Sequence, residues 1–229
     1  MTYALELKNV TKNYTNFTLQ NISLVLPKGC IMGLIGENGA GKSTLIKLML
    51  NLIQRDGGEI YVLDVPAEVF SAERNAHIGV VMDECHIPDM LNVRQVDQIM
   101  QDIYPNWQSD VFRQLTARFG LPEKGKIKTY SRGMKMKLSI AVALSHDAQL
   151  LILDEAPSGL DPVVRDEILD IFLEFMQDEN HAILMASHIT SDLEKVCDYI
   201  TYIHKGHIEL SMEKDRLLEE YAIFKGSEE

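Results

Sequence analysis

The chain has 229 residues, of which 46% are hydrophobic and 24% charged, with a formal net charge of −12 at pH 7. That length and apolar content suit one α/β domain with a small subdomain rather than two independent domains, and the acidic balance argues against a nucleic-acid footprint and against adsorption to an anionic membrane surface. No apolar run approaches the roughly 20 residues that cross a bilayer, and Met1 to Glu6 lacks a signal-peptide pattern, so a cytoplasmic location is expected, with membrane contact only through another protein.

The first thirty residues read as strands. Ala4 to Leu7 alternates, and Phe17, Leu19, Leu24 and Leu26 keep a largely two-residue period before the turn Pro27-Lys28-Gly29. Cys30 to Ile35 reads as a buried strand and runs into Gly36-Glu37-Asn38-Gly39-Ala40-Gly41-Lys42-Ser43, which fits the pattern G-x-x-x-x-G-K-[ST]. Glycines there allow positive φ and bring backbone N–H groups to phosphate oxygens, while the helix that follows, expected over Thr44 to Leu50, adds its positive dipole end. A nucleoside triphosphate is the expected ligand, with Lys42 on the β- and γ-phosphates and Ser43 on Mg²⁺.

Asp56-Gly57-Gly58 signals a turn before strand Glu59 to Leu63, and a second buried strand is expected at Ile78 to Val81. From Leu91 to Ser145 the period becomes helical, with stripes Val93, Val96, Ile99, Ile103 and Val111, Leu115, Phe119. Residues 91–145 therefore read as a helical subdomain inserted between residues 1–90 and 146–229 of the core. Leu150 to Leu153 has the continuous apolar character of a central parallel strand. It ends in Asp154 and Glu155, which places two carboxylates at the carboxyl edge of the sheet, suited to Mg²⁺ and to polarising a water.

Asp161 reads as an N-cap and Pro162 as the first residue of a helix through Met176. Strand Ala182 to Ala186, helix Ser191 to Val196 and a hairpin from Tyr199 to Leu210 follow, and a short charged helix is expected after Glu213. His204 and His207 fall at the hairpin strand ends rather than at ligand spacing. Cys30, Cys85 and Cys197 form no C-x-x-C pair and are expected to be reduced.

Five elements in order carry a family resemblance. They are Tyr14 before the β-rich entry, Gly36 to Thr44, Ser131-Arg132-Gly133-Met134-Lys135, the run Leu150 to Pro162, and Ser187-His188 after a strand. With them the chain resembles the nucleotide-binding subunit of ATP-binding-cassette (ABC) transporters over nearly its whole length. The resemblance implies a P-loop NTPase core with a parallel sheet, an N-terminal antiparallel β subdomain and the inserted helical subdomain. It implies ATP and Mg²⁺ as cofactors, with Gly36, Glu37, Asn38, Gly39, Ala40, Gly41, Lys42, Ser43 and Thr44 around the phosphates and Tyr14 on the adenine. Phe17 competes with Tyr14 for that stacking role.

By the same resemblance Asp154 joins Ser43 and Asp83 at the metal. Glu155 is the base, His188 the switch histidine near the γ-phosphate and Asp161 the residue that communicates across a dimer, although its N-cap duty alone would account for it. Ser131 and Gly133 would bind the γ-phosphate held by a second ATPase subunit facing head to tail.

The implied function is the ATP-hydrolysing subunit of an ABC transporter, peripheral on the inner face of the cell membrane through an integral membrane permease. An exporter resembles it most. A soluble, non-transport ABC ATPase and a catalytically idle regulatory subunit are the alternatives. Departures from the family pattern are a signature without its usual leucine, second-position glycine and glutamine, Asp83 where a glutamine is usual, and Ala156-Pro157 after the acid pair.

Overall fold

The computed structural model describes residues 3–69, 71–156 and 160–221. Pro157 therefore lies outside the described residues. Two sheets organise the chain. The first is antiparallel: strand β1 (Tyr3–Tyr14) turns directly into β2 (Phe17–Pro27), and β4 (Gly57–Val62) and β5 (Val65–Pro66) extend it in the order β2-β1-β4-β5. The expected alternation from Ala4 is broken, since Ala4 and Leu5 are both buried. The pairing of β1 with β2 slips between Leu7 and Val10, where Asn9 takes φ 51°, the mark of a bulge that re-aims the strand.

The second sheet has the order β10-β9-β3-β8-β7-β6. Strands β3 (Ile31–Ile35), β8 (Ala182–Ala186), β7 (Leu150–Asp154) and β6 (Ile78–Val81) run parallel, β9 (Tyr199–His204) joins β3 in parallel, and β10 (His207–Glu213) closes an antiparallel hairpin. Every residue of β7 and β8 is buried, as expected for strands covered on both faces.

The side-chain period of two sends alternate residues to two cores. Leu150, Ile152, Leu184 and Ala186 face a cluster with Leu5 and Leu19 of the antiparallel sheet and with Leu45 and Ile46 of helix α1 (Lys42–Met49). Leu151, Leu153, Ile183 and Met185 face the other cluster. That cluster is filled by Phe112 of α4 (Ser109–Arg118), Leu138 of α5 (Arg132–Leu144) and Phe172 of α6 (Pro162–Phe175).

The helical segment opens with α3 (Val93–Ile103), held by a capping box in which Asn92 and Gln95 exchange side-chain bonds. Val93 and Val96 are buried as the stripe predicts, but Ile99 and Ile103 are exposed. In α4 the deepest anchor is Phe112, one position beyond the predicted stripe. Beyond α3, Tyr104 stacks on the buried His146 ring with centroids 4.2 Å apart. The helix α2 (Ala72–Ala76), with its Ser71 cap, is too short to show a helical period. The lysines of the run Met134 to Lys137, which could have formed a solvated face, are engaged: Lys135 with Asp89 at 2.6 Å and Lys137 with Glu167 at 2.8 Å. The remaining helices are α7 (Thr190–Val196) and α8 (Lys214–Glu220), the latter the charged helix expected after Glu213.

Candidate nucleotide site

Parallel strands deliver their C-terminal ends to one edge, and here four of them carry the chemistry. β3 leads into the glycine-rich loop, β7 ends at Asp154 with Glu155 next, β8 is followed by Ser187 and His188, and β6 by Asp83. The edge is pinned across strands: Glu155 N–H donates to the Ala186 carbonyl and Ser187 N–H to the Leu34 carbonyl.

Backbone geometry in the glycine-rich loop depends on residues without a Cβ. Gly39 and Gly41 have φ of 82° and 117°, and a Cβ on Gly41 would stand 2.6 Å from Leu19 Cδ2 and 2.9 Å from Phe17 Cζ. Gly41 is also the N-cap of α1, so no side chain caps that helix and its first turn holds no acid. A helix start left in this way presents N–H donors and a positive dipole end to an anion. The Lys42 ammonium is nearly buried and donates to the Gly36 carbonyl at 2.7 Å and the Glu37 carbonyl at 3.3 Å. It lies 3.5 Å from Glu155 Oε1. The other Glu155 oxygen, Oε2, accepts from His188 Nδ1 at 2.6 Å. Lys42, Glu155 and His188 thus form one contact chain, and Glu155 holds it from φ 55°, a left-handed conformation uncommon outside glycine.

Asp154 sits beneath this chain, only 4% exposed. Burial pushes its pKa up, the Asp83 and Glu155 carboxylates push the same way, and a hydrogen bond from Ser43 and the Lys42 charge oppose the rise. Asp154 Oδ1 is buried without a hydrogen-bond partner. An orphaned carboxylate oxygen, a serine hydroxyl and a nearby second carboxylate are hard oxygen donors of the kind Mg²⁺ takes. The residues present fit that ion.

A cavity of about 650 Å³ spans the loop and is lined by Asn16, Phe17, Lys42, Ser43, Asp83 and Glu155 among others. Tyr14 does not line it. That ring is 47% exposed with the Lys12 ammonium 5.6 Å from its centroid, while Phe17 packs toward Gly41. The geometry therefore favours Phe17, the competing candidate, as the aromatic wall. Ser131 and Gly133 stand apart from this cavity at the start of α5, where Ser131 Oγ accepts from Met134 N–H as an N-cap. Ser131 is exposed, and a Cβ on Gly133 would find only ordinary contacts, the nearest at 3.5 Å from Leu160 Cδ2. Asp161 caps α6 through Val164 N–H, so its capping duty is real.

The family model described as ABC transporter matches residues 19–158. The chain belongs to the ABC transporter family. Among ABC relatives, the lantibiotic transport ATP-binding protein SrtF of Streptococcus pyogenes is 33% identical over 213 residues, covering 92% of this chain and 91% of that protein. The bacitracin transport ATP-binding protein BcrA of Enterococcus faecalis is 33% identical over 211 residues, covering 91% of this chain and 68% of that protein. A solved ATP-binding subunit of an ABC transporter superposes with a TM-score of 0.85 at 25% identity, covering 94% of this chain and 92% of that one.

This chain is accordingly an ABC transporter ATP-binding subunit with ATPase activity and the P-loop NTPase fold. Sequence reasoning missed two features of this ABC site. Asn16 reaches the cavity from the tight turn between β1 and β2, a placement that only strand pairing reveals. Arg165 and Asp192 meet where α6 and α7 begin, far apart in the chain and with no motif to join them.

Proposed function

We propose that this ABC ATPase energises a separate integral membrane permease, with export as the direction, and that it hydrolyses ATP in a head-to-tail pair with a second ATPase subunit. The observation that carries the catalytic part is the chain Lys42–Glu155–His188 at the carboxyl edge of the sheet. Support for the transport role comes from the transport ATP-binding proteins SrtF and BcrA and from the family model described as ABC transporter, and no helix among the described residues is long and apolar enough to cross a membrane.

In this reading the loop N–H groups and Lys42 cradle the phosphates, and Phe17 or Tyr14 stacks on the base. Glu155 accepts the proton of the water that attacks the γ-phosphorus in line. His188 fixes the Glu155 carboxylate through its Nδ1–H and lies beside the γ-phosphate. Ser43, Asp154 and Asp83 would hold Mg²⁺, which neutralises phosphate charge when bound. Ser131 and Gly133 would reach the γ-phosphate held by the facing subunit, a role consistent with an exposed Ser131, a half-buried Gly133 and their absence from the lining of their own cavity. Binding closes the pair and hydrolysis reopens it.

The test is to isolate the Glu155→Gln variant from its native cells in mild detergent with ATP and Mg²⁺ and identify companions by mass spectrometry. A polytopic membrane protein in stoichiometric amount is expected. Soluble companions alone would contradict the transporter reading.

A further inference from the structure

An ion pair joins the start of α6 to the first turn of α7, the helix that His188-Ile189 enters. Arg165, one turn into α6, points its Nε at Asp192 Oδ2 across 3.5 Å, and its NH2 group donates to the Leu160 carbonyl at 3.1 Å. The Asp192 side chain is 3% exposed and that of Arg165 20%. Arg165 Nε and Asp192 Oδ2 are each buried with no hydrogen-bond partner, so the two charges face each other just beyond bonding distance.

The pair links two segments with catalytic assignments. Leu160 directly precedes Asp161, the cap of α6. Asp192 lies in the first turn of α7, and the chain entering that turn is His188-Ile189. No side chain caps α7. Its entry is held locally by Ser187 Oγ, which accepts from Ile189 N–H, and by Asp192 N–H, which donates to the Ile189 carbonyl. Besides the buried pair, a surface contact of Lys195 with Asp166 joins α6 to α7. The partly solvated surface pair adds little rigidity; α7 is seated on the core by the buried Leu193 and Val196, beside Leu169 and Phe172 of α6, and at its first turn Arg165 and Asp192 are the buried charged contact that ties the start of α6 to the segment carrying His188.

We propose that Arg165 and Asp192 are positioning residues that transmit the placement of the Leu160-Asp161 segment to His188, and through its 2.6 Å bond to the Glu155 carboxylate. This inference rests on the assignment of His188 and Glu155 made above. A subunit that presses on the Leu160-Asp161 segment shifts the start of α6, and Arg165 carries that shift to α7. At 3.5 Å the pair is short of a hydrogen bond, and pressure from the facing subunit would tighten or widen that contact.

The experiment replaces both charges at once, Arg165→Met with Asp192→Leu, because a buried pair exchanged for apolar groups of similar size keeps stability whereas a single replacement strands the other charge. The double variant is expected to unfold within a few degrees of the parent and to hold its KM for ATP within about twofold, while its single-turnover hydrolysis rate falls about tenfold. In a His188→Ala background the same double replacement is expected to cost less than about twofold more, since the pair acts through that histidine. An unchanged rate would make the pair structural only, and an additive loss in the His188→Ala background would overturn transmission through His188. His188→Ala alone separates the two readings: an undiminished rate there overturns the histidine assignment and the inference with it.

Discussion

Asp154 illustrates how a side chain proposed to serve the metal can be costly to the fold. Its carboxylate is buried beside Asp83 and Glu155, and its pKa is raised chiefly by burial. An acid whose pKa is raised on folding withdraws stability where it is ionised: the penalty is full above the folded-state pKa and fades as pH falls through it. Asp154→Asn is therefore expected to raise the melting temperature at pH 8 in metal-free buffer, by about 2–4 °C for each kcal/mol recovered. The gain should shrink toward pH 4, and thermal melts across that range would check it; a variant less stable at pH 8 would mean the carboxylate is better satisfied than its orphaned Oδ1 indicates.

The placement of such residues was legible in the sequence because they are neighbours in the chain: Gly36 to Ser43 as a loop between strand and helix, and Asp154-Glu155 at a strand end. Phe17 and Asn16 were harder, since the turn between β1 and β2 brings them over the loop through space. The left-handed φ of Glu155 had no signal at all, because nothing in an acid's neighbours announces it.

At the scale of elements, the buried strands were readable from four-residue apolar runs, and α6 from its Asp161-Pro162 start. The five-residue α2 and the two-residue β5 were not, being shorter than the period that would reveal them. The approach of α5 to β6 was equally hidden, and it turns on Gly79. A Cβ there would lie 2.7 Å from the Ala143 carbonyl oxygen and still closer to Leu151 Cδ2. Only a bare backbone lets the helix that starts at Ser131 lie this close to the sheet. Gly79→Ala is expected to cost about 1–3 kcal/mol by overpacking, read as a lower urea midpoint with the same slope. An unchanged midpoint would mean that α5 can shift without loss.

For the whole molecule, neither composition nor period gives the strand order β10-β9-β3-β8-β7-β6. The order matters because it sets Asp83, Asp154, His188 and the glycine-rich loop along one edge in neighbouring strands. The motifs implied such an edge through the family resemblance, and the topology supplies it. That Ser131 and Gly133 do not line the Lys42–Glu155 cavity also belongs to this scale, and the proposed function assigns them to the phosphate of a facing subunit.

The central claim, hydrolysis by Glu155 between two facing subunits, is tested most directly with purified Glu155→Gln protein and ATP plus Mg²⁺, by measuring mass by light scattering and phosphate release on the same sample. The account predicts an ATP-dependent dimer of the 25.9 kDa chain with turnover reduced by about 10²-fold or more. A monomer that hydrolyses ATP at the parent rate would contradict it.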